Sequence, residues 1–246
     1  MGKNMKITYA MAASAIAILS LASAAAMAET PQEAAVKKLV EPRLGDKAKV
    51  DSVTKTPYSG LYEVRTGGDI IYTDENAKYL FVGRVIDTKT YQDYTKDRID
   101  EINKIKFSDL PLESALKMVK GDGKRVIAVF EDPNCGYCKR FRQTLQGLEN
   151  VTVYTFMYNI LSEDSSIKSK NIWCTEDRNK AWDDWMLNNK AAPTAAASCN
   201  TPNDKILALG KNMKITGTPT VFFTDGSRIP GAIDAKSLEA KLASVK

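Results

Sequence analysis

The sequence predicts a two-part α/β protein: a small unit with one helix on an antiparallel sheet, then a polar connector helix and a larger domain in which helices and strands alternate. Three observations carry this. Residues 126–130, Val-Ile-Ala-Val-Phe, form a short continuous apolar run, as expected of a strand buried on both faces. Cys138, Phe141, Leu145 and Leu148 follow it at helical spacing. Gly67-Gly68 separates two strand-like runs, Leu61–Thr66 and Asp69–Asp74, as a two-residue hairpin turn does.

Taken in order, the chain opens with Lys3 and Lys6, then runs without charge from Ile7 to Ala28 and ends that run in Ala26-Met27-Ala28. This is the layout of a secretory signal peptide over residues 1–28, with Met5 as an alternative start and an uncleaved membrane anchor as the competing reading. No later segment is long and apolar enough to span a bilayer. Thr30-Pro31-Gln32-Glu33 reads as a helix start, with Thr30 as N-cap and Glu33 closing a capping box. That helix carries Val36, Leu39 and Val40 and stops before Pro42 and Gly45. The hairpin follows, then a strand expected from Lys78 to Ile86. Residues 29–88 thus make a module that buries little by itself. Its Tyr79-Leu80-Phe81-Val82 stretch suits either a pairing edge or packing on its own helix. Residues 89–106 carry only a thin stripe of Ile99, Ile102 and Ile105 among charged side chains, the pattern of a solvated connector helix. From 107 to 246 come further strands at Val151–Tyr158 and Pro219–Thr224, and a closing helix over Ala235–Val245.

Composition excludes several chemistries. The formal charge of +5 includes two positives from the leader, and no basic stripe is interleaved with aromatics, so nothing points to nucleic acid. The chain has no histidine, which removes Ser-His and Cys-His catalysis and His-ligated zinc. Four cysteines remain, Cys135, Cys138, Cys174 and Cys199, an even count that in an exported chain suggests disulfides. A zinc site would need a second close pair, which Cys174 and Cys199 do not form. Bridging those two would close a loop of about 26 residues, worth roughly 3.5 kcal/mol in the chain-entropy treatment, and would pin the Asn188–Asn200 stretch. A Cys135–Cys138 bridge closes almost nothing, so that pair is better explained by reactivity.

Its placement supplies the chemistry. A buried strand leads to Cys135 at the start of an amphipathic helix, where free backbone N–H groups and the helix dipole favour a thiolate. Cys135 is therefore expected to be the exposed nucleophile. Cys138 is expected to stay protonated on the apolar face. Gly136 leaves room for a substrate, and Tyr137 sits between the sulfurs. Glu131 and Asp132, just before the motif, read as solvated loop carboxylates, with proton transfer to or from Cys138 as the rival role. Trp173, Trp182 and Trp185 read as core of a helical subdomain, with a substrate-lining surface as the rival.

With Cys-Gly-Tyr-Cys, a polar linker helix, a second cysteine pair and Thr218-Pro219 before the final strand, the chain resembles the thioredoxin superfamily and, within it, the DsbC/DsbG family of periplasmic thiol–disulfide proteins. The resemblance implies a thioredoxin-like catalytic domain with a helical insertion, preceded by a small cystatin-like α+β dimerisation domain. It implies that Pro219 is cis and faces the cysteines, that Thr218 offers its backbone to the substrate, and that Gly83 lies at a dimer strand. It further implies a V-shaped homodimer acting on misfolded disulfide-containing exported proteins, kept reduced by an inner-membrane thiol reductase. No cofactor is implied. The expected activity is disulfide isomerisation through a Cys135 mixed disulfide. A reductase of single oxidised cysteines, as in the DsbG branch, and a chaperone without redox chemistry are the rivals. That branch usually carries proline at the place of Gly136. The lack of histidine between the cysteines argues against a strongly oxidising centre.

Overall fold

The computed structural model describes residues 29–45 and 48–245, so the leader expected over 1–28 lies outside the described residues. No helix among them is long and apolar enough to cross a membrane.

The first unit opens with α1 (Pro31–Val40), whose start is the expected capping box: Thr30 accepts from the Glu33 amide, and the Glu33 carboxylate accepts from the Thr30 amide at 2.8 Å. The helix lies on a four-stranded antiparallel sheet in chain order, β1 (Val50–Lys55), β2 (Tyr62–Thr66), β3 (Asp69–Thr73) and β4 (Leu80–Phe81). Gly67 and Gly68 both take positive φ, and Thr66 pairs with Asp69, so the hairpin turn is as read. Val36 and Val40 of α1 close over Val50, Val53, Tyr62 and Val64. The last strand is shorter than expected: only Leu80 and Phe81 pair with β3, and Ile86 makes a lone bridge to Asp93. Tyr79, Leu80, Phe81 and Val82 are all exposed on this sheet edge, which rules out their packing on α1.

The connector also differs from its sequence reading. Its helix, α2 (Tyr94–Ile102), is capped by the Asp93 side chain and leans on the first sheet instead of standing in solvent. Thr95 is buried, its hydroxyl 2.6 Å from Tyr72 Oη, and Arg98 pairs with Glu63 at 3.2 Å. Two contacts follow, one to each unit: Asn103 Nδ2 donates to the Gly68 carbonyl in the first, and the Ile105 amide donates to the Gly226 carbonyl in the second.

The second unit is a five-stranded sheet of order β5-β7-β6-β8-β9, made of β5 (Leu116–Lys120), β6 (Arg125–Glu131), β7 (Val151–Met157), β8 (Thr220–Phe223) and β9 (Arg228–Pro230). Only β6 and β7 run parallel, joined by α3 (Gly136–Gln146). The continuous apolar run of β6 is explained by burial on both faces. Ile127 and Val129 face Phe141 and Leu145 of α3 and Leu238 and Leu242 of α7 (Ala235–Ser244). Ala128 and Phe130 face the opposite way, with Phe156, Tyr158 and Phe222, under Ile206 of α6 (Asn203–Asn212). Phe130 stacks on Phe156 with centroids 4.7 Å apart and meets Tyr158 and Phe222 edge-on.

Between β7 and α6 sits a helical insertion, α4 (Glu163–Trp173) and α5 (Arg178–Asn188). Trp182 is fully buried and Trp173 nearly so, in the core position read from sequence, but their neighbours in that cluster include Cys135, Cys138 and Met157. Cys174 is bonded to Cys199 across a Cα–Cα distance of 6.3 Å, returning the irregular 189–202 stretch to the end of α4.

One packing point ties the second core to the site. Tyr158 Oη donates to the Ile215 carbonyl at 3.1 Å, just before the Thr216–Pro219 turn, and the Tyr158 ring occupies the space where a side chain on Gly210 would go. Gly210→Ala is expected to destabilise the protein by about 1–3 kcal/mol through overpacking, seen as a lower denaturant midpoint with an unchanged slope.

Candidate active site

β6 ends at Glu131, a three-residue loop follows, and Cys135 is the N-cap residue of α3 with an extended backbone (φ −80°, ψ 116°). The loop is held by Asp132. Its buried carboxylate accepts from the Asn134 amide, the Ser165 hydroxyl and the Ile160 and Leu161 amides, all between 2.8 and 3.0 Å. One side chain thereby joins the cysteine loop, the end of β7 and the start of α4. The Trp185 indole N–H adds a 2.7 Å bond to the Pro133 carbonyl.

Cys135 is not exposed as expected; 6% of it is accessible. Gly136 and Tyr137 beside it are exposed, and no atom lies within 4 Å of where a Gly136 Cβ would be, so the approach to the sulfur is from that side. The Thr218–Pro219 peptide is cis, and the Cys135 thiol donates to the Thr218 carbonyl at 3.2 Å. Thus Cys135, Cys138, Gly136, Tyr137, Thr218 and Pro219 converge on one site. Gly83 lies apart, exposed beyond β4 in the first unit.

The two sulfurs differ sharply. Cys135 is lowered to about 5, first by the hydrogen bond from the Cys138 thiol, against the opposing effect of burial, then by the Thr218 side chain and the Cys138 and Tyr137 amides. A carbonyl stabilises only the thiol form, so the Thr218 hydroxyl, buried and without a hydrogen-bond partner, is the group at that position that favours the anion. Cys138 is fully buried, and burial, its donation to Cys135 and the nearby Glu131 all push its thiol upward.

Both carboxylates before the motif are fully buried, which corrects their reading as solvated. Asp132 is saturated by donors, whereas neither Glu131 oxygen has a hydrogen bond. Burial raises Glu131 to about 7, with the Arg142 charge and the Trp182 indole working against it. Arg142, on α3 one turn past Cys138, is itself buried and pairs with Asp183 at 2.6 Å. The two-residue period of β6 held the signal: Glu131 shares a face with Ile127 and Val129, and that face lies under α3.

The folded Cys135 value lies below the ordinary thiol value near 9, so its contribution to the dithiol form is full above pH 9 and is lost as pH falls through about 5. The stability of the dithiol form relative to the disulfide form is expected to rise from pH 4 to pH 9, measured by denaturant unfolding of each. Thiolate absorbance should titrate near pH 5 in wild type and higher in Thr218→Val.

Residues 112–246 match the thioredoxin-like domain family, and residues 27–96 match the disulfide bond isomerase protein N-terminal domain. The chain is 47% identical over 217 residues to the probable thiol:disulfide interchange protein DsbC of Bordetella pertussis, covering 88% of this chain and 76% of that one. It is 28% identical over 197 residues to the thiol:disulfide interchange protein DsbC of Escherichia coli, covering 78% and 80% respectively. A crystal structure of a disulfide interchange protein from Neisseria gonorrhoeae superposes with a TM-score of 0.52 at 37% identity, over 55% of this chain and 98% of that one. A cysteine favoured as thiolate beside a second, buried cysteine, on this fold and in this company, makes the protein a thiol–disulfide oxidoreductase: the chain belongs to the DsbC family of thiol:disulfide interchange proteins.

Proposed function

We propose that this protein is a disulfide isomerase that reshuffles wrongly paired cysteines in exported proteins. The observation that carries this is the asymmetry of the sulfur pair, one lowered to about 5 and the other raised by burial. Cys135 as a thiolate attacks a substrate disulfide, forming a mixed disulfide and releasing one substrate sulfur as thiolate. Because Cys138 holds its proton, the mixed disulfide persists long enough for the released sulfur to attack elsewhere in the substrate. That second exchange returns Cys135 as thiolate and leaves the substrate re-paired. If rearrangement stalls, Cys138 attacks Cys135, the substrate leaves reduced, and the protein carries a Cys135–Cys138 disulfide.

Resolution requires a place for the Cys138 proton. Glu131 is buried in the region of Cys138, has no hydrogen bond, and sits near neutrality. Its carboxylate is the acceptor in this reading, with Arg142 biasing it toward the anion. Thr218 and Pro219, with Gly136 and Tyr137, border the substrate's path to Cys135. The Cys174–Cys199 bridge serves as a structural staple for the insertion.

The setting follows from the same reading. The exposed Tyr79–Val82 edge, ending at Gly83, suits strand pairing with a second copy, and a homodimer so joined would hold unfolded substrates between its catalytic domains. The charge-free run at residues 7–28 of the sequence supports a periplasmic setting, where an inner-membrane thiol reductase would restore the dithiol. Gly136 favours the isomerase over the DsbG-like reductase: it occupies the first helical position, where proline is equally acceptable to the helix, so backbone geometry does not dictate the glycine.

Recovery of activity from a scrambled multi-disulfide substrate in a thiol buffer is the test. Wild type should recover well above buffer, Cys135→Ser should not, and Cys138→Ser should accumulate a mixed disulfide visible on non-reducing gels. Reduction without recovery of activity would replace the isomerase with the reductase. Glu131→Gln should leave the first attack unchanged and slow the release of reduced substrate roughly tenfold to a hundredfold at pH 8, in stopped-flow measurement of each step.

A further inference from the structure

The rim of the nucleophile is electropositive, and three elements that are distant in sequence make it so. Lys139 of α3 and Lys168 of α4 both place their ammonium groups over the Trp185 ring of α5, 4.4 and 4.3 Å from its centre. That ring is tethered to Pro133, two residues before Cys135. Beside the sulfur, the Arg140 guanidinium lies 4.4 Å from the centre of the exposed Tyr137 ring. Lys168 is paired with Asp164 at 2.6 Å, but among the described residues neither Lys139 nor Arg140 has a carboxylate partner. Partial burial and the charge of Lys168 both disfavour the Lys139 ammonium, a cost that an incoming anion relieves.

We infer that this rim selects substrates by the carboxylates next to their disulfides: a polypeptide segment with Asp or Glu flanking the reactive cysteine docks against Lys139 and Arg140 as Cys135 attacks. The inference rests on the exchange activity proposed above and adds a substrate preference to it. The chemistry is unchanged. A Cys135–substrate S–S bond forms, the substrate S–S bond breaks, and the departing sulfur leaves as thiolate with the electron pair and takes a proton from water. The protein's own dithiol is the reductant in a single turnover. Opposite charge near the reacting sulfur acts mainly on the encounter rate, so the preference is a property of the second-order rate constant and weakens with salt.

The test uses the pre-reduced protein and two fluorescent peptide disulfides of equal length, one with Glu and one with Lys on both sides of the cysteine. The acidic-to-basic ratio of rate constants is compared between wild type and the double variant Lys139→Gln, Arg140→Gln. Dividing the ratios cancels any change in Cys135 ionisation and any intrinsic difference between the peptides. The ratio should fall about fivefold to tenfold in the variant at low ionic strength, and the difference should shrink in about 0.5 M salt. Lys38→Gln with Lys89→Gln, exposed in the first unit and at the start of the connector, makes the same change in net charge and should leave the ratio at its wild-type value. An unchanged ratio in the rim variant, or an equal fall in the remote one, would overturn the inference. Failure of wild type to react with either peptide would instead remove the exchange reading beneath it.

Discussion

One asymmetry organises the site: a single negative charge is favoured on Cys135, while burial keeps the proton on Cys138. The rest of the domain holds the two sulfurs in these different surroundings. A strand buried on both faces fixes where the loop begins, and the Asp132 carboxylate fixes the loop itself. The first turn of α3 then sets the spacing of the two sulfurs. The cis turn at Thr218–Pro219 leads into β8, the neighbour of β6, and is positioned by Tyr158 through the Ile215 carbonyl. Small displacements of any of these would narrow the gap between the two thiols, because hydrogen bonding to an anion falls off steeply with distance and angle.

The burial of Cys135 sharpens this. An exposed thiolate at a helix start would lean on the dipole alone, whereas here the anion is taken largely out of water and must be favoured by discrete donors. Burial opposes the charge, and the Cys138 thiol, the Thr218 hydroxyl and two backbone amides outweigh it. Beneath them lies a second balance, with Glu131 held near neutrality between burial and the Arg142 charge. In the proposed mechanism these two balances would act on the first and second sulfur transfers separately.

Much of this architecture was legible in the chain because it is local. The Thr30–Glu33 capping box, the Gly67-Gly68 turn, the apolar run of β6 and the one-turn offset of the cysteines are all encoded within a few residues of where they act. What escaped involves partners far away in sequence. Glu131 and Asp132 look like loop acids until α3 closes over one and four donors from 134–165 surround the other. The connector helix, with only a thin isoleucine stripe, looks solvated until Thr95 meets Tyr72 and Arg98 meets Glu63. Lys139, Lys168 and Trp185 belong to three helices, so no window of sequence displays them as a group. Strand β4 was read too long for a different reason: β-propensity continues from Lys78 to Ile86, but the sheet offers a pairing partner for only two of those residues.

For the isomerase proposed above, the shelter around Cys135 would also determine when the protein stops working. A sulfur with so little exposed surface can be met only by a disulfide carried on a chain that bends outward and reaches into the gap beside Gly136. Once a client has packed its bridges into its own interior, no such protrusion remains. Discrimination between finished and unfinished clients therefore demands no recognition of the native state: it is a matter of reach, and a correctly closed bond is spared by being out of range.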